Sequence, residues 1–246
     1  MGVILVKNNK GGVGKSWIAL QLAAYKAFNN EKVLILTSDS QNNILNYSGI
    51  KVEDTSKKGL EDMLEGKPYN LTKLRPNLFF LHLQGYKVKG NLDEKFKKRI
   101  NSLKDEFKHI IIDGSPVMDL DSIFVDVAEH IIVPTFLDSV TTSSILNLLK
   151  KTDISKIRAV IPNRVGRTRI EKNFYTFLKD TLTRSGVFLS IPINHSAVIL
   201  KLLEKGTLLW ESRSKKLDDI KEVFVKVWGE IDDEWCDETI WKCNFY

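Results

Sequence analysis

The sequence predicts an α/β fold in which a doubly wound, mostly parallel sheet has helices on both faces. Three observations predict it. Short apolar runs rich in β-branched residues recur along the chain, and helical patterns lie between them. Unbroken apolar strands are typical of parallel sheets that are buried on both faces. A chain of 246 residues, 43% of them hydrophobic, is also long enough to form one such domain with a substantial core.

Six apolar runs are predicted strands, and three amphipathic segments are predicted helices. The first strand, GVILV, is followed at once by a glycine-rich turn and a helix start. In the last two helices, apolar residues recur three and four positions apart, as they do on one helix face. The ligand of a doubly wound sheet lies at the carboxyl ends of its strands. The predicted strands are 2–6, 32–36, 78–83, 109–114, 130–135 and 158–163, and the predicted helices are 16–28, 171–183 and 217–228.

The turn after the first strand, NNKGGVGKS at residues 8–16, is nearly the phosphate-binding loop G-x-x-x-x-G-K-[ST]. Asn9 stands where that pattern has its first glycine. Glycines in such a turn let backbone N–H groups surround phosphates, while Lys15 supplies positive charge and the Ser16 hydroxyl ligates Mg²⁺. The predicted nucleotide-binding residues of this stretch are Gly11, Gly12, Val13, Gly14, Lys15, Ser16 and Trp17.

Two carboxylates are expected at the same edge of the sheet. Asp113 ends the apolar run HIIID and is followed by Gly-Ser-Pro, which is typical of an aspartate that holds Mg²⁺ through its water shell. Asp39 follows the second strand in LILTSDSQNN, where it can contribute to the metal site and position an attacking water. The sequence therefore predicts Ser16, Asp39 and Asp113 as the metal-binding residues.

Together these motifs resemble the ParA/MinD family of deviant Walker ATPases, and most closely its ParA and ParF-type partition proteins. The resemblance is carried by KGGVGKS with its leading lysine, by SDSQNN, and by IIIDGSP, and it covers about residues 2–229. It implies an ATP hydrolase that uses Mg²⁺ and turns over slowly unless a partner and DNA stimulate it. It also implies that Lys10 reaches the partner's phosphates across an ATP-dependent homodimer, and that Asn9 is a tolerated substitution.

The resemblance further assigns roles within the site. Lys10, Lys15 and Asp39 are the implied catalytic residues, and Asp39 matches the family's hydrolysis aspartate. Asn43 is implied as a phosphate contact. The family's D-x-D-P-Q stretch appears here as TSDSQ at 37–41, so that its first aspartate and its proline are replaced by Thr37 and Ser40. This difference is expected to affect the rigidity of the segment and the rate of hydrolysis.

Two more positions are carried over from the family to the adenine subsite. Asn163, at the end of RAVIPN, matches the adenine-reading position. Pro192 lies in the IPIN turn that is implied to pack on the base. Both are therefore predicted to bind the nucleotide.

The charge distribution favours a polyanionic partner. The net charge is +6, but residues 230–246 carry six acids and one base, so the preceding residues carry +11. We accordingly predict an ATPase domain at 1–229 and an acidic, aromatic-containing tail at 230–246. The family resemblance implies non-specific DNA binding by the dimer, a centromere-binding partner protein and a place on the nucleoid. The candidate DNA-binding residues are Lys201, Lys205, Arg213, Lys215 and Lys216.

Other functions are weighed against this one. Positioning of a membrane or protein cargo, as in the MinD branch, is the main alternative, although the acids of the tail would be repelled by an anionic membrane. No membrane contact is expected, and an apolar run of bilayer length is not found, so we expect a cytoplasmic protein. A kinase or small-molecule synthase stays open. A cluster-bearing reductase is rejected, because Cys236 and Cys243 both lie in the tail.

Overall fold

In the computed structural model, the sheet has the predicted doubly wound, mostly parallel arrangement. The structure describes residues 2–39, 41–51, 59–83, 92–115 and 118–232. Within these ranges the strand order is β3-β4-β2-β5-β1-β6-β7-β8, and β9 pairs with β7. The strands are β1 Gly2–Val6, β2 Val33–Thr37, β3 Thr72–Arg75, β4 Leu78–Leu81, β5 His109–Asp113, β6 His130–Thr135, β7 Ile157–Val165, β8 Phe188–Leu189 and β9 Ile193–Asn194.

The six predicted strands are confirmed, with small shifts of their ends. The six pair in parallel with one another, and the added strand β3 runs antiparallel to β4 at the edge of the sheet. The short strands β8 and β9 extend the other edge beside β7. Two-residue strands carry too little apolar pattern to be recognised in the sequence.

Helices cover both faces of the sheet. The three predicted helices correspond to α1, α7 and α9, while the others were missed by the sequence analysis. Short 3₁₀ turns lie at Ile154–Lys156, Leu209–Glu211 and Lys215–Leu217. The helices are α1 Lys15–Phe28, α2 Asn43–Tyr47, α3 Leu60–Leu64, α4 Leu92–Lys104, α5 Met118–Val127, α6 Ser139–Lys151, α7 Arg169–Thr183, α8 Ala197–Glu204 and α9 Asp218–Asp232.

The register of the central strands brings their carboxyl ends to one level. Asp113, the last residue of β5, is paired with Val6 of β1 on one side and with Thr37 of β2 on the other. The segments that follow β1, β2 and β5 therefore leave the sheet side by side. This is the crevice in which the sequence analysis places the ligand, and all of its main motifs lie in those three segments.

Two apolar layers hold the sheet between the helices. On one face α1 and α9 pack on the sheet, with Trp17 edge-on to Phe224. Helices α3 to α7 pack on the other face. The last turns of α9 are attached to the second half of α1: the Trp228 indole N–H donates to the Leu22 carbonyl at 3.1 Å, and Lys26 pairs with Asp232 at 2.7 Å.

The predicted boundary between domain and tail falls within α9. This helix continues through Asp232, so residues 230–232 of the predicted tail are helical, and Ile231 is buried. The rest of the tail, including both cysteines, lies outside the described residues, and so does Ser40. In the part of the chain that is described, none of the helices combines the length and the apolar character needed to span a membrane.

Candidate nucleotide-binding site

The loop between β1 and α1 has the backbone geometry of an anion-binding turn. Gly12 and Gly14 both have a left-handed backbone, with φ of +77° and +94°. Gly14 directly precedes α1 and has no side chain to cap the helix, so the first N–H groups of α1 are not occupied by a capping residue. A helix N-terminus of this kind favours phosphate, because its N–H groups and its dipole both attract negative charge.

The structure explains why Asn9 can replace the first glycine. Among the described residues, the non-glycine positions with a left-handed backbone are Asn30, Asn42, Asn77 and Arg164. Asn9 is not one of them, so a side chain is accommodated there without backbone strain. The loop therefore keeps glycine at positions 12 and 14, where the conformation demands it.

Asn8, which the sequence analysis did not single out, anchors the loop to the sheet. Its buried side-chain amide donates to the Pro134 carbonyl at 2.7 Å, and its oxygen accepts the Lys10 backbone N–H at 2.9 Å. The ammonium of Lys15 donates to the Lys10 carbonyl at 2.9 Å and so connects the two ends of the glycine-rich stretch. These bonds hold the loop in shape with Gly11 and Gly12 exposed.

Asp113 is almost completely buried, with 2% of its surface exposed, at the floor of the crevice. Burial raises its pKa to about 6, and the negative charge of Asp39 adds to the effect. A hydrogen bond with Ser16, the charge of Lys15 and a hydrogen bond with Thr37 act in the opposite direction. A hydroxyl and a buried carboxylate side by side are hard oxygen donors, so the residues present fit Mg²⁺.

The segment after β2 places Asp39 beside this pair. One carboxylate oxygen of Asp39 accepts the Gln41 backbone N–H at 2.9 Å, and the other accepts the Asn43 amide at 3.1 Å. Thr37 accepts the Asp39 backbone N–H at 3.0 Å, and its hydroxyl lies 3.5 Å from an Asp113 carboxylate oxygen. Thr37 thus ties the two aspartates together without adding a third negative charge to the crevice.

Lys10 lies at the outer edge of the loop, next to the start of α6. Asp138 caps that helix by accepting the Thr141 backbone N–H at 2.7 Å. Although burial acts to raise the pKa of Asp138, hydrogen bonds from Thr141 and the positive charge of Lys10 hold it below its usual value. The neighbouring Val140 is 59% exposed. The surface around Lys10 is therefore partly apolar and open.

A cavity of about 170 Å³ adjoins the phosphate loop. Asn163, predicted to read adenine, lies in its wall, and its amide donates to the Val13 carbonyl at 2.9 Å. The other predicted base contact, Pro192, is followed closely in the chain by Asn194, His195 and Ser196, which line the cavity. The sequence analysis missed the α2 and α8 contributions, because they meet only in the fold. The lining is Gly14, Trp17, Tyr47, Asn163, Arg164, Asn194, His195, Ser196, Ile199, Leu200 and Leu203.

All five candidate DNA-binding residues are exposed. Lys201 lies on α8 and Lys205 directly follows it, on the same short helix whose Ile199, Leu200 and Leu203 line the cavity. The other three lie in the segment before α9. The 3₁₀ turn Leu209–Glu211 and its flanking residues connect the two groups.

Comparison with known proteins agrees with this geometry. The family model described as an AAA domain, AAA_31, matches residues 1–165, which include the phosphate loop and both aspartates. The chain belongs to this family. Its relatives include ParA and Soj proteins, so the expectation of a ParA/MinD-family member is confirmed.

Two curated relatives and one solved structure illustrate the similarity. The Soj chromosome-partitioning ATPase of Treponema pallidum is 34% identical over 136 residues, 49% of this chain and 51% of Soj. The ParA chromosome-partitioning protein of Myxococcus xanthus is 29% identical over 129 residues, 48% of this chain and 46% of ParA. The chain thus spans about half the length of the curated relatives it matches. Apo McdA from Cyanothece has the same fold, with a TM-score of 0.76, 21% identity, and coverage of 93% of this chain and 100% of McdA.

Proposed function

We propose that this protein is a Mg²⁺-dependent ATPase that dimerises with ATP, binds DNA without sequence preference and drives plasmid or chromosome partition. One observation carries the proposal: the phosphate loop, the Ser16–Asp113 pair and Asp39 converge on one crevice, with a second lysine at its outer edge. A lysine at that edge could contact the phosphates of a second copy, which supports dimerisation. The curated relatives named as partition proteins support the same direction.

Each residue of the crevice has a distinct part in ATP hydrolysis. The N–H groups of Gly11 to Lys15 and the Lys15 ammonium would bind the phosphates. Ser16, and Asp113 through water, would hold Mg²⁺, which neutralises phosphate charge when bound. The Gln41 backbone N–H and the Asn43 amide hold the Asp39 carboxylate at the crevice rim, where it can orient a water for attack on the γ-phosphate.

Dimerisation would complete the site. Lys10 lies at the loop edge, with Asp138 as its nearby counter-charge, and Val140 gives the same surface an apolar contact. When two copies close face to face, Lys10 would leave Asp138 and reach the other copy's phosphates. A cation supplied in this way acts as an arginine finger does, since it stabilises charge only in the assembled complex.

Binding to DNA would follow from dimerisation. Five exposed bases lie on α8 and in the segments between it and α9, and they would form a weak basic surface on each copy that the dimer presents twice. Two weak sites on one rigid body bind a long polyanion far more tightly than either site alone. Hydrolysis, stimulated by a centromere-binding partner, would then separate the copies and release the DNA.

The proposal is tested by measuring binding of a random-sequence duplex with Mg²⁺ and either ATP or ADP, at two salt concentrations. We expect salt-sensitive binding with ATP alone, and Asp39→Ala should stay bound as a dimer because it cannot hydrolyse the nucleotide. Anionic liposomes are assayed in parallel. If the protein ignores DNA in both nucleotide states, or binds liposomes instead, the partition function is wrong and a positioning ATPase of the MinD type takes its place.

A further inference from the structure

Helix α8 belongs to the nucleotide site and to the basic surface at once. Ile199, Leu200 and Leu203 line the cavity beside the phosphate loop. Lys201 is exposed on the same helix, and Lys205 follows it. If α8 changes position when a nucleotide binds in this cavity, both lysines therefore move with it.

Helix α8 buries little of its apolar surface for a helix of this composition. Six of its eight residues are apolar, yet none of the eight is fully buried, and Leu200 is 43% exposed. Its half-buried side chains, including Val198 and Leu202, pack against the layer around α1. An element with few buried contacts can change position at low cost.

The C-terminal end of α8 is joined to the end of α2 by a contact between two glycines. Gly49 follows α2 and Gly206 follows α8, and both have a left-handed backbone, with φ of +71° and +60°. A Cβ added to Gly206 would lie 2.1 Å from the Gly49 Cα and 2.4 Å from its nitrogen. The two turns thus touch through bare backbone, where no flexible side chain can take up a displacement.

Arg75 fastens the same two turns from β3. Its guanidinium donates to the Ser48 carbonyl at 3.1 Å and to the Gly206 carbonyl at 2.9 Å. The Glu211 carboxylate accepts two more hydrogen bonds from this guanidinium, at 2.6 and 3.2 Å. One of its oxygens also accepts the Leu208 N–H at 2.6 Å. Because the guanidinium is planar and binds these two carbonyls and the carboxylate at once, it sets their spacing in a way that a lysine cannot reproduce.

The other end of this connection is the water-positioning segment. Helix α2 begins at Asn43, whose amide binds Asp39, and it ends at Tyr47, which lines the same cavity as Leu203. Ser48 and Gly49 follow directly. A chain of contacts therefore runs from Asp39 through α2 and the glycine contact to α8.

We propose that Arg75 and the Gly49–Gly206 contact form a joint that transmits the state of the nucleotide site to α8 and so sets the DNA affinity of its lysines. In this proposal Arg75 is a positioning residue, remote from the phosphates, and it acts through α2 and α8. The inference rests on the proposed function for its DNA-binding readout. Its structural core, a nucleotide-dependent response of α8 that needs the joint, can be measured without DNA.

The first test compares two glycine substitutions. Gly206→Ala places a methyl group against the Gly49 backbone, whereas Gly186→Ala adds one at a similar left-handed position, φ +70°, with nothing within 4 Å. Both positions are left-handed and carry a similar backbone strain, so the contact with Gly49 is the main difference between them. Hydrogen exchange at residues 197–206 is measured with and without Mg-ATP. We expect ATP-dependent protection in the wild type and in Gly186→Ala, and its loss in Gly206→Ala.

The second test removes the Arg75 guanidinium. Arg75→Ala is compared with Arg158→Ala, which loses the same charge from a half-buried arginine that binds His130 at the start of β6. The measured quantity is the ratio of duplex affinities in ATP and in ADP. For a coupling of ordinary size we expect a wild-type ratio of about fivefold or more, retained in Arg158→Ala and close to one in Arg75→Ala. Binding of a fluorescent ATP analogue should be unchanged in both.

Arg75→Lys keeps the charge and guards against misfolding of the alanine variant, and thermal melting confirms that each protein is folded. It should behave like Arg75→Ala. If α8 exchanges identically with and without ATP in the wild type, or if the joint variants keep the wild-type response, the inference is overturned. If the wild type does not bind DNA at all, the proposed function fails instead, and the exchange experiment still decides on the joint.

Discussion

The burial of Asp113 predicts that replacing it will stabilise the protein when nucleotide and metal are absent. Burial raises the pKa of this carboxyl from 3.8 to about 6. Each pKa unit corresponds to 1.36 kcal/mol, so the ionised group costs about 3 kcal/mol of folding free energy at pH 8. Asp113→Asn keeps the shape and removes the charge. For a chain of this size, the gain amounts to a rise in melting temperature of about 6 to 12 °C.

The pH dependence has a definite sign. Because the folded-state pKa is raised, the neutral carboxyl stabilises the fold fully below pH 3.8, and that stability is lost as the pH rises through about 6. The advantage of Asp113→Asn is therefore full above pH 6, about half as large at pH 5, and absent below pH 3.8. Near pH 5 the unfolded chain is ionised while the folded protein is still mostly protonated.

The assay is thermal melting in EDTA, without nucleotide, over this pH range. Asp105→Asn is the control, since Asp105 is exposed, and exposed substitutions change stability by about 0.5 kcal/mol or less. Adding Mg-ATP should stabilise the wild type more than Asp113→Asn, which lacks the carboxylate proposed to hold the metal's water shell. If the variant melts at or below the wild-type temperature at pH 8 in EDTA, the argument that burial dominates this site is refuted.

Three other substitutions, one of them paired with a control variant, test separate parts of the structure. Lys10→Ala should still bind ATP but lose ATP-dependent dimerisation and about 10³-fold of stimulated turnover, as judged by light scattering and phosphate release; normal stimulated turnover would remove Lys10 from the mechanism. Gly14→Ala should destabilise the nucleotide-free protein by about 1 to 2 kcal/mol or more, because its Cβ would lie 2.3 Å from the Asn163 amide at φ +94°. Gly11→Ala, with open space around it, should melt like the wild type. Trp228→Ala should cost about 3 to 5 kcal/mol in a denaturant titration, since a buried ring and its hydrogen bond are both lost, and a cost below about 1 kcal/mol would contradict the packing described for α9.

The sequence predicted those parts of the fold whose signal is local. Continuous apolar runs identified the six main strands, and the glycine pattern identified the phosphate loop. Asp113 was found because it ends such a run, and register then places it beside Val6 and Thr37. Strands β3, β8 and β9 were missed because they have two to four residues and little periodicity.

The features that sequence reasoning missed all depend on contacts between distant segments. Tyr47 and Leu203 line one cavity although 156 positions of the sequence separate them. Asn8 holds the loop through a carbonyl of β6, and the left-handed Gly49 lies directly against the Gly206 backbone. Asparagine and glycine occur in loops for many reasons, so neither residue type indicates such a partner from the sequence alone.

The attachment of α9 to α1 has a practical consequence for single-molecule work. Helix α1 starts at the phosphate loop and runs 14 residues, about 21 Å, to the end where Lys26 binds Asp232. Glu230 is exposed in that last turn of α9. A fluorophore or surface tether introduced at this position would be about a helix length away from the crevice, so it would not obstruct the candidate nucleotide site.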